Sequence, residues 1–180
     1  AFAQQKRLKK LRSAIKKYFH SIDNDGKKAL LLTALLQQAS DEKDELFTYA
    51  NRLFRKRTNL DLESLCQLGE ALLSLGRTTL AKQLVRYIEE HVQQHQHQLS
   101  QQRTGRRSLT PTQLAQVAFG LELLAKLSPR SSVLQKGIPF LLTQRRGRRW
   151  PSLQETSRAA RALTAYYKHT KMAKVRLEMQ

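Results

Sequence analysis

Apolar positions recur three or four residues apart along this chain, and the periodicity predicts a succession of about eight helices. In the first, Leu8, Leu11, Ile15, Tyr18, Phe19 and Ile22 form an apolar stripe, while Lys6, Arg7, Lys9, Lys10, Arg12, Lys16 and Lys17 cover the rest of the surface. Asp23-Asn24-Asp25-Gly26 is a turn by composition, and it lacks the alternate acidic positions and downstream Glu of a calcium loop. Ala29 to Leu36 is apolar nearly all round, which predicts a helix buried on both sides. Ser40 or Asp41 can cap the next helix, whose Leu46, Ala50, Leu53 and Phe54 form one face while Arg52, Arg55, Lys56 and Arg57 crowd its C-terminal end. From Asp61 the stripe Leu62, Leu65, Cys66, Gly69, Leu72 and Leu73 stops at Gly76, a natural helix cap.

The second half continues the pattern. Thr78 or Thr79 opens a helix that packs through Ala81, Leu84, Val85, Ile88 and Val92. Residues 93–109 are polar and rich in Gln and Arg, with too little apolar surface for a core, and read as a loop or a frayed extension of that helix. Thr110-Pro111-Thr112-Gln113 combines a capping residue, a first-turn Pro and a Gln three residues after the cap. A helix therefore starts there and runs through Val117, Ala118, Leu121, Leu124 and Ala125 to Leu127. Ser128-Pro129 repeats the start signal, and Leu134, Ile138, Leu141 and Leu142 form the following stripe. After a basic turn, Pro151 marks a break, and the Ser-x-x-Glu spacing of Ser152 and Glu155 predicts a capped helix from Ser152. Leu153, Thr156, Ala160, Leu163 and Tyr167 are its expected packed stripe, with Arg158, Arg161 and Lys168 on another face.

These elements predict an all-α fold, an array of antiparallel helix pairs in one domain spanning residues 1–180. Ala29 to Leu36 and Val117 to Leu124, apolar on two sides, fit an inner ring wrapped by an outer one, because a straight two-layer stack buries one face per helix. Ala34-Leu35-Leu36 and Ala71-Leu72-Leu73 recur at a spacing within the range of helix-pair arrays. The chain begins without Met and ends in a charged helical pattern, as a fragment of a larger protein would.

One stretch carries a family likeness. Phe-Leu-Leu-Thr-Gln-Arg-Arg-Gly-Arg-Arg-Trp-Pro-Ser-Leu-Gln-Glu-Thr, from Phe140 to Thr156, is followed by Ala159, Ala162, Leu163, Tyr166 and Tyr167. It resembles a helix-pair junction in the α/α-toroid, or thioester-type, domain of the alpha-2-macroglobulin family, bacterial members above all. The resemblance implies a toroid-like array, and about eight helices are fewer than the family's closed ring needs, which leaves an incomplete ring or an open α-helical array. It further implies a secreted or periplasmic protein that traps or restrains proteases, with other domains of a parent protein or a target protease as partners. The family's internal thioester joins a Cys to a Gln three residues beyond it. Cys66 is followed at that distance by Gly69, so this chain cannot form the bond and covalent capture does not carry over. Cys66 reads instead as a small apolar residue facing the core.

Charge adds a competing reading. Lys and Arg total 33 against 14 Asp and Glu, a formal net charge of +19 on a chain that is 40% hydrophobic. Such an excess points to a polyanionic neighbour: nucleic acid, an anionic membrane surface or an acidic partner domain. The candidate binding residues are Lys9, Lys10, Arg12, Lys16 and Lys17 in the first helix, Arg103, Arg106 and Arg107 in the polar stretch, and Arg145, Arg146, Arg148 and Arg149 around Gly147. Merged into one surface they would neutralise several phosphates and bind nucleic acid with steep salt dependence. As separate solvated faces they would serve solubility or match other domains. Trp150 among the arginines can stack a base or wedge a helix junction. On the nucleic-acid reading the compartment is cytoplasmic.

Catalytic chemistry has less support. His91 and His95, one helical turn apart, with His97 nearby, are the only candidate zinc cluster, and a solvated Gln-rich helix tail explains them without a metal. His20 and His169 have no partner in sequence. There is no Gly-x-Ser-x-Gly turn, no Gly-rich phosphate loop, and none of the aspartate-rich signatures of a terpene cyclase. The lone Cys66 excludes an internal disulfide, no apolar run is long enough to span a bilayer, and no signal peptide is visible. The expectation is a non-enzymatic domain without cofactor or metal, its oligomeric state open.

Overall fold

A computed structural model describes the backbone of residues 2–38, 43–102, 111–147 and 149–178, and the side chains of residues 10–11, 13–36, 44–100, 113–147 and 149–170. Among these residues the protein is all-α, without a strand. Its helices are α1 Phe2–Ser21, α2 Asp25–Gln38, α3 Lys43–Arg55, α4 Leu62–Ser74, α5 Thr78–Gln83, α6 Val85–Gln102, α7 Pro111–Leu127, α8 Ser132–Thr143 and α9 Leu153–Glu178. None of those described is long and apolar enough to cross a membrane. The chain groups into two compact units, Ala1–Ala81 and Lys82–Gln180, the boundary falling inside α5.

The first unit is built round α2, which packs against α1, α3 and α4. Ala29, Leu32 and Leu35 are wholly buried there, yet Leu30 is 55% exposed, so the apolar run from Ala29 to Leu36 also meets solvent, which its composition conceals. Asn24 accepts the Lys27 amide at 2.9 Å and starts α2 early, which takes Asp25 and Gly26 out of the expected turn and into the helix. Leu46, Ala50, Leu53 and Phe54 of α3 are buried as their spacing predicts. The cap expected at Ser40 or Asp41 lies outside the described residues. Asp61 caps α4 by accepting the Ser64 amide at 2.9 Å. At its other end Gly76 adopts φ +72°, and the Gly76 and Arg77 amides reach back to Leu73 and Leu72 at 3.0 and 2.8 Å. Of the described first stripe only Phe19 and Ile22, the residue just after α1, are buried, while Leu11 and Tyr18 stand half exposed, because the helix finds its packing partners at its last turn.

The second unit is built round α7, which packs against α6, α8 and α9. Val117, Ala118, Phe119, Leu121, Leu123 and Leu124 point in all directions and are all buried, the pattern of a helix surrounded on every side. The helix α6 continues to Gln102 and buries Leu99, so residues 93–102 are a helical extension and not a loop. Residues 103–109 lie outside the described part.

Two expectations fail here. The start of α8 is set by Ser131, whose hydroxyl accepts the Leu134 amide at 3.4 Å and donates to Glu89; Ser128, the expected start, instead closes α7 through its amide on Leu124 at 2.7 Å. The packed face of α9 is also different. Leu153 is 86% and Tyr167 55% exposed, and Ala160 lies on the outside, whereas Glu155, Ala159, Ala162 and Ala165 are buried. Small residues let α9 approach the bulky surface of α7, which larger side chains would hold off. Arg158 and Arg161, expected to face solvent or a partner, reach onto α7: Arg158 lies over the Phe119 ring at 3.8 Å and Arg161 grips Glu122.

Candidate functional site

The residues that carry the family likeness build one compact junction between α8 and α9. Gln144 closes α8 and is 6% exposed. The chain then turns tightly: the Arg146 amide donates to the Arg149 carbonyl at 2.9 Å, and Gly147 supplies the left-handed step at φ +66°. Trp150 comes back against the end of α8, 7% exposed, and its Nε1–H donates to the Leu141 carbonyl at 3.0 Å. Two residues on, the Glu155 amide donates to the Ser152 hydroxyl at 3.1 Å and the Ser152 amide to Glu155 Oε2 at 2.8 Å, the reciprocal cap predicted from their spacing. Trp150 is thus a wedge. Its donor is spent and its ring is buried, with only the Arg145 guanidinium over it at 5.5 Å, so it is not placed to stack a base.

Below the junction, Glu122 ties α7 to α9. Arg161 donates to both of its carboxylate oxygens at 2.8–3.2 Å, and Lys126 to one at 3.0 Å. Burial resists ionisation of this carboxyl, but the two cations outweigh it and hold its pKa below the usual carboxylate range.

The basic candidates divide. Arg145, Arg146 and Arg149 stand exposed together on the turn around Gly147. Lys10 and Lys17 are exposed on α1, whereas Lys16 is an ion-pair partner of Glu45 at 2.6 Å. The side chains of Lys9 and Arg12, and all of Arg103, Arg106, Arg107 and Arg148, lie outside the described residues.

Lys16 also leads to a network that the sequence hides. Glu45 Oε1 accepts the Tyr49 hydroxyl at 2.5 Å, and the Tyr49 oxygen lies 3.0 Å from His20 Nε2. The lysine, then the tyrosine, hold the Glu45 pKa below the usual range, so the carboxylate is ionised and Tyr49 gives it its single proton. Only a lone pair remains for His20, which must carry its proton on Nε2. His20 and Tyr49 sit 29 residues apart on different helices, beyond the reach of any spacing rule. The cations at the end of α3 were the one legible signal nearby.

The other candidates are quiet. Cys66 is buried in α4. His95 turns its Nδ1 to the His91 carbonyl at 2.8 Å, which removes that nitrogen from metal binding, and the described residues contain no cluster of three metal-ligating side chains. No protein-family model matches this chain, and neither a curated protein nor a solved structure matches it.

Proposed function

We propose that this chain is a non-catalytic helical domain of a secreted or periplasmic macroglobulin-like protein, contributing to protease trapping through domain contacts and without a covalent thioester. The observation that carries the reading is the order of packing. In each unit the most extensive helix contact skips one element: α2 lies on α4 with α3 connecting them, and α7 on α9 with α8 connecting them. An array with an inner layer of alternate helices pairs them this way, whereas a row of hairpins pairs neighbours first. The likeness at Gln144, Trp150, Ser152 and Glu155 adds weight because Trp150 bonds back to α8, Ser152 and Glu155 cap α9, and Gln144 lies buried where α8 ends. With Gly69 three residues after Cys66, capture would rest on shape alone.

The test uses the full-length polypeptide that carries this domain, mixed with a trypsin-type protease. The expected result is a protease that co-elutes with it, still cleaves a small peptide ester and no longer cleaves a large protein. A protease that elutes freely and keeps its activity on large substrates overturns the reading.

A second reading has one specific observation behind it: Arg145, Arg146 and Arg149 are exposed on a single turn, and among the described residues none has a carboxylate partner. On this reading the turn binds nucleic acid or another polyanion. Affinity for a random duplex should fall steeply with salt and drop when the three arginines become glutamine; absence of binding at low salt eliminates it.

A further inference from the structure

The first unit contains a cleft of about 420 Å³ that neither reading uses. It opens where the last turn of α1, the first turns of α2 and the end of α3 meet. Phe19, Tyr49 and Leu53 give it an apolar wall, made rigid by the stacking of Phe19 on Tyr49 at 4.7 Å between ring centres. His20 lines it too, and with Nε2–H committed to Tyr49, Nδ1 is the ring's remaining polar atom.

The charges around this wall do not balance. Lys28, Arg52, Arg55 and Lys56 all line the cleft, and among the described residues the only acid that lines it is Asp25, which already binds Lys56 at 3.0 and 3.2 Å. Glu45, which bonds the cleft-lining Tyr49, is taken by Lys16 and Tyr49. Among the described residues, Lys28, Arg52 and Arg55 therefore meet no acid. Arg52 and Arg55 are one helical turn apart on α3, so both guanidinium forks can close on one group.

We propose that this cleft binds a small aromatic phosphate monoester, with the phosphate held by Arg52, Arg55 and Lys28 and the ring laid along Phe19, Tyr49 and Leu53. The volume lies in the range of small-molecule sites, roughly 300–1,000 Å³. Guanidinium pairs match phosphate oxygens two at a time, and a dianion offsets the surplus cations where a single carboxylate would leave most of it standing. The apolar wall explains why the ligand needs a ring: free phosphate would leave that wall wet.

The test is titration of the protein with phenyl phosphate and with inorganic phosphate, followed by amide chemical shifts. Adenosine monophosphate and phosphotyrosine serve as further arms that separate a nucleotide from a modified tyrosine as the source. Phenyl phosphate should bind at least about tenfold more tightly than inorganic phosphate and shift the resonances of α1–α3. The double variant R52Q/R55Q should lose about tenfold or more of that affinity, while R130Q/K136Q, which removes the same charge elsewhere, should keep it. Both variants change exposed side chains, and K28Q provides an independent single-site check on α2. Equal binding of the two phosphates, equal weakening in both double variants, or no binding at millimolar ligand overturns the proposal.

Discussion

Trp150 donates its indole N–H to the carbonyl of Leu141, nine residues earlier in the chain, and so pins the entry of α9 to the last turn of α8. The Leu141 carbonyl also accepts the amide of Gln144, the residue that closes α8, at 3.3 Å, so the indole is the shorter of two donors to a carbonyl in the last helical turn. The side chain therefore contributes both apolar burial and a hydrogen bond. Replacing Trp150 by Phe keeps most of the first and loses the second, for an expected cost of about 1–2 kcal/mol, while Trp150→Ala should cost about 3–5 kcal/mol. Urea unfolding followed by circular dichroism measures both. Equal, small effects would place Trp150 outside the core.

The cap of α9 separates geometry from charge. Ser152→Ala removes the acceptor for the Glu155 amide and should cost about 1 kcal/mol. Glu155 is 1% exposed, and among the described residues only its Oε2 has a hydrogen-bond partner. A glutamine can still accept the Ser152 amide through its carbonyl oxygen and leaves no charge behind, so Glu155→Gln should be nearly neutral. Glu155→Ala should instead cost about 1 kcal/mol or more. If the glutamine variant proves as damaged as the alanine variant, the charge and not the reciprocal cap is what α9 needs.

Local chemistry made much of this fold legible from sequence. The Ser152–Glu155 spacing, the glycine at 76 and the apolar surround of α7 each need only residues close in the chain, and each is where its pattern places it. The packed face of α9 was not legible, because apolar scales favour Leu153, Leu163 and Tyr167 over alanine. What decides the face is the partner surface: α9 packs along α7, and the α9 residues buried there are Glu155, Ala159, Ala162 and Ala165. The start of α8 failed for the same kind of reason, since Ser131 is favoured over Ser128 by Glu89, 42 residues away. The His20–Tyr49–Glu45 network and the cleft beside it rest wholly on such distant pairings.

Glu122 makes stability depend on pH in a definite direction. Its pKa is lower in the folded protein than the ordinary carboxylate value of about 4.3, so the folded state releases this proton more readily than the unfolded chain. The contribution is fully present above that ordinary value and is lost as pH falls through the depressed folded value. Wild-type unfolding free energy should decline below about pH 5, and Glu122→Gln should flatten the decline. At neutral pH, Arg161→Ala should be the more damaging change, about 2 kcal/mol against about 1 for Glu122→Gln. It leaves a buried carboxylate beside Lys126, whereas Arg161 is more than half exposed and water can solvate it. The reverse order would mean that the ion pair acts mainly by attraction and not by compensating burial.

Tyr49 offers the sharpest check on the network beside the cleft. Burial, and after it the hydrogen bond to Glu45, pushes its pKa above the ordinary value of about 10. A raised folded value means that this residue's contribution is complete below pH 10 and is lost as pH climbs through the folded pKa. The difference between ultraviolet titrations of the wild type and of Tyr49→Phe should show Tyr49 ionising above pH 10. Glu45→Gln removes the acceptor charge, so the ionisation should move down but stay above 10, because burial persists. The same substitution frees the Tyr49 proton to turn toward His20. Nitrogen shifts of His20 should therefore report Nε2–H in the wild type and lose that preference in Glu45→Gln and in Tyr49→Phe. A His20 tautomer that ignores both substitutions would show that the 3.0 Å approach of His20 to Tyr49 carries no hydrogen bond.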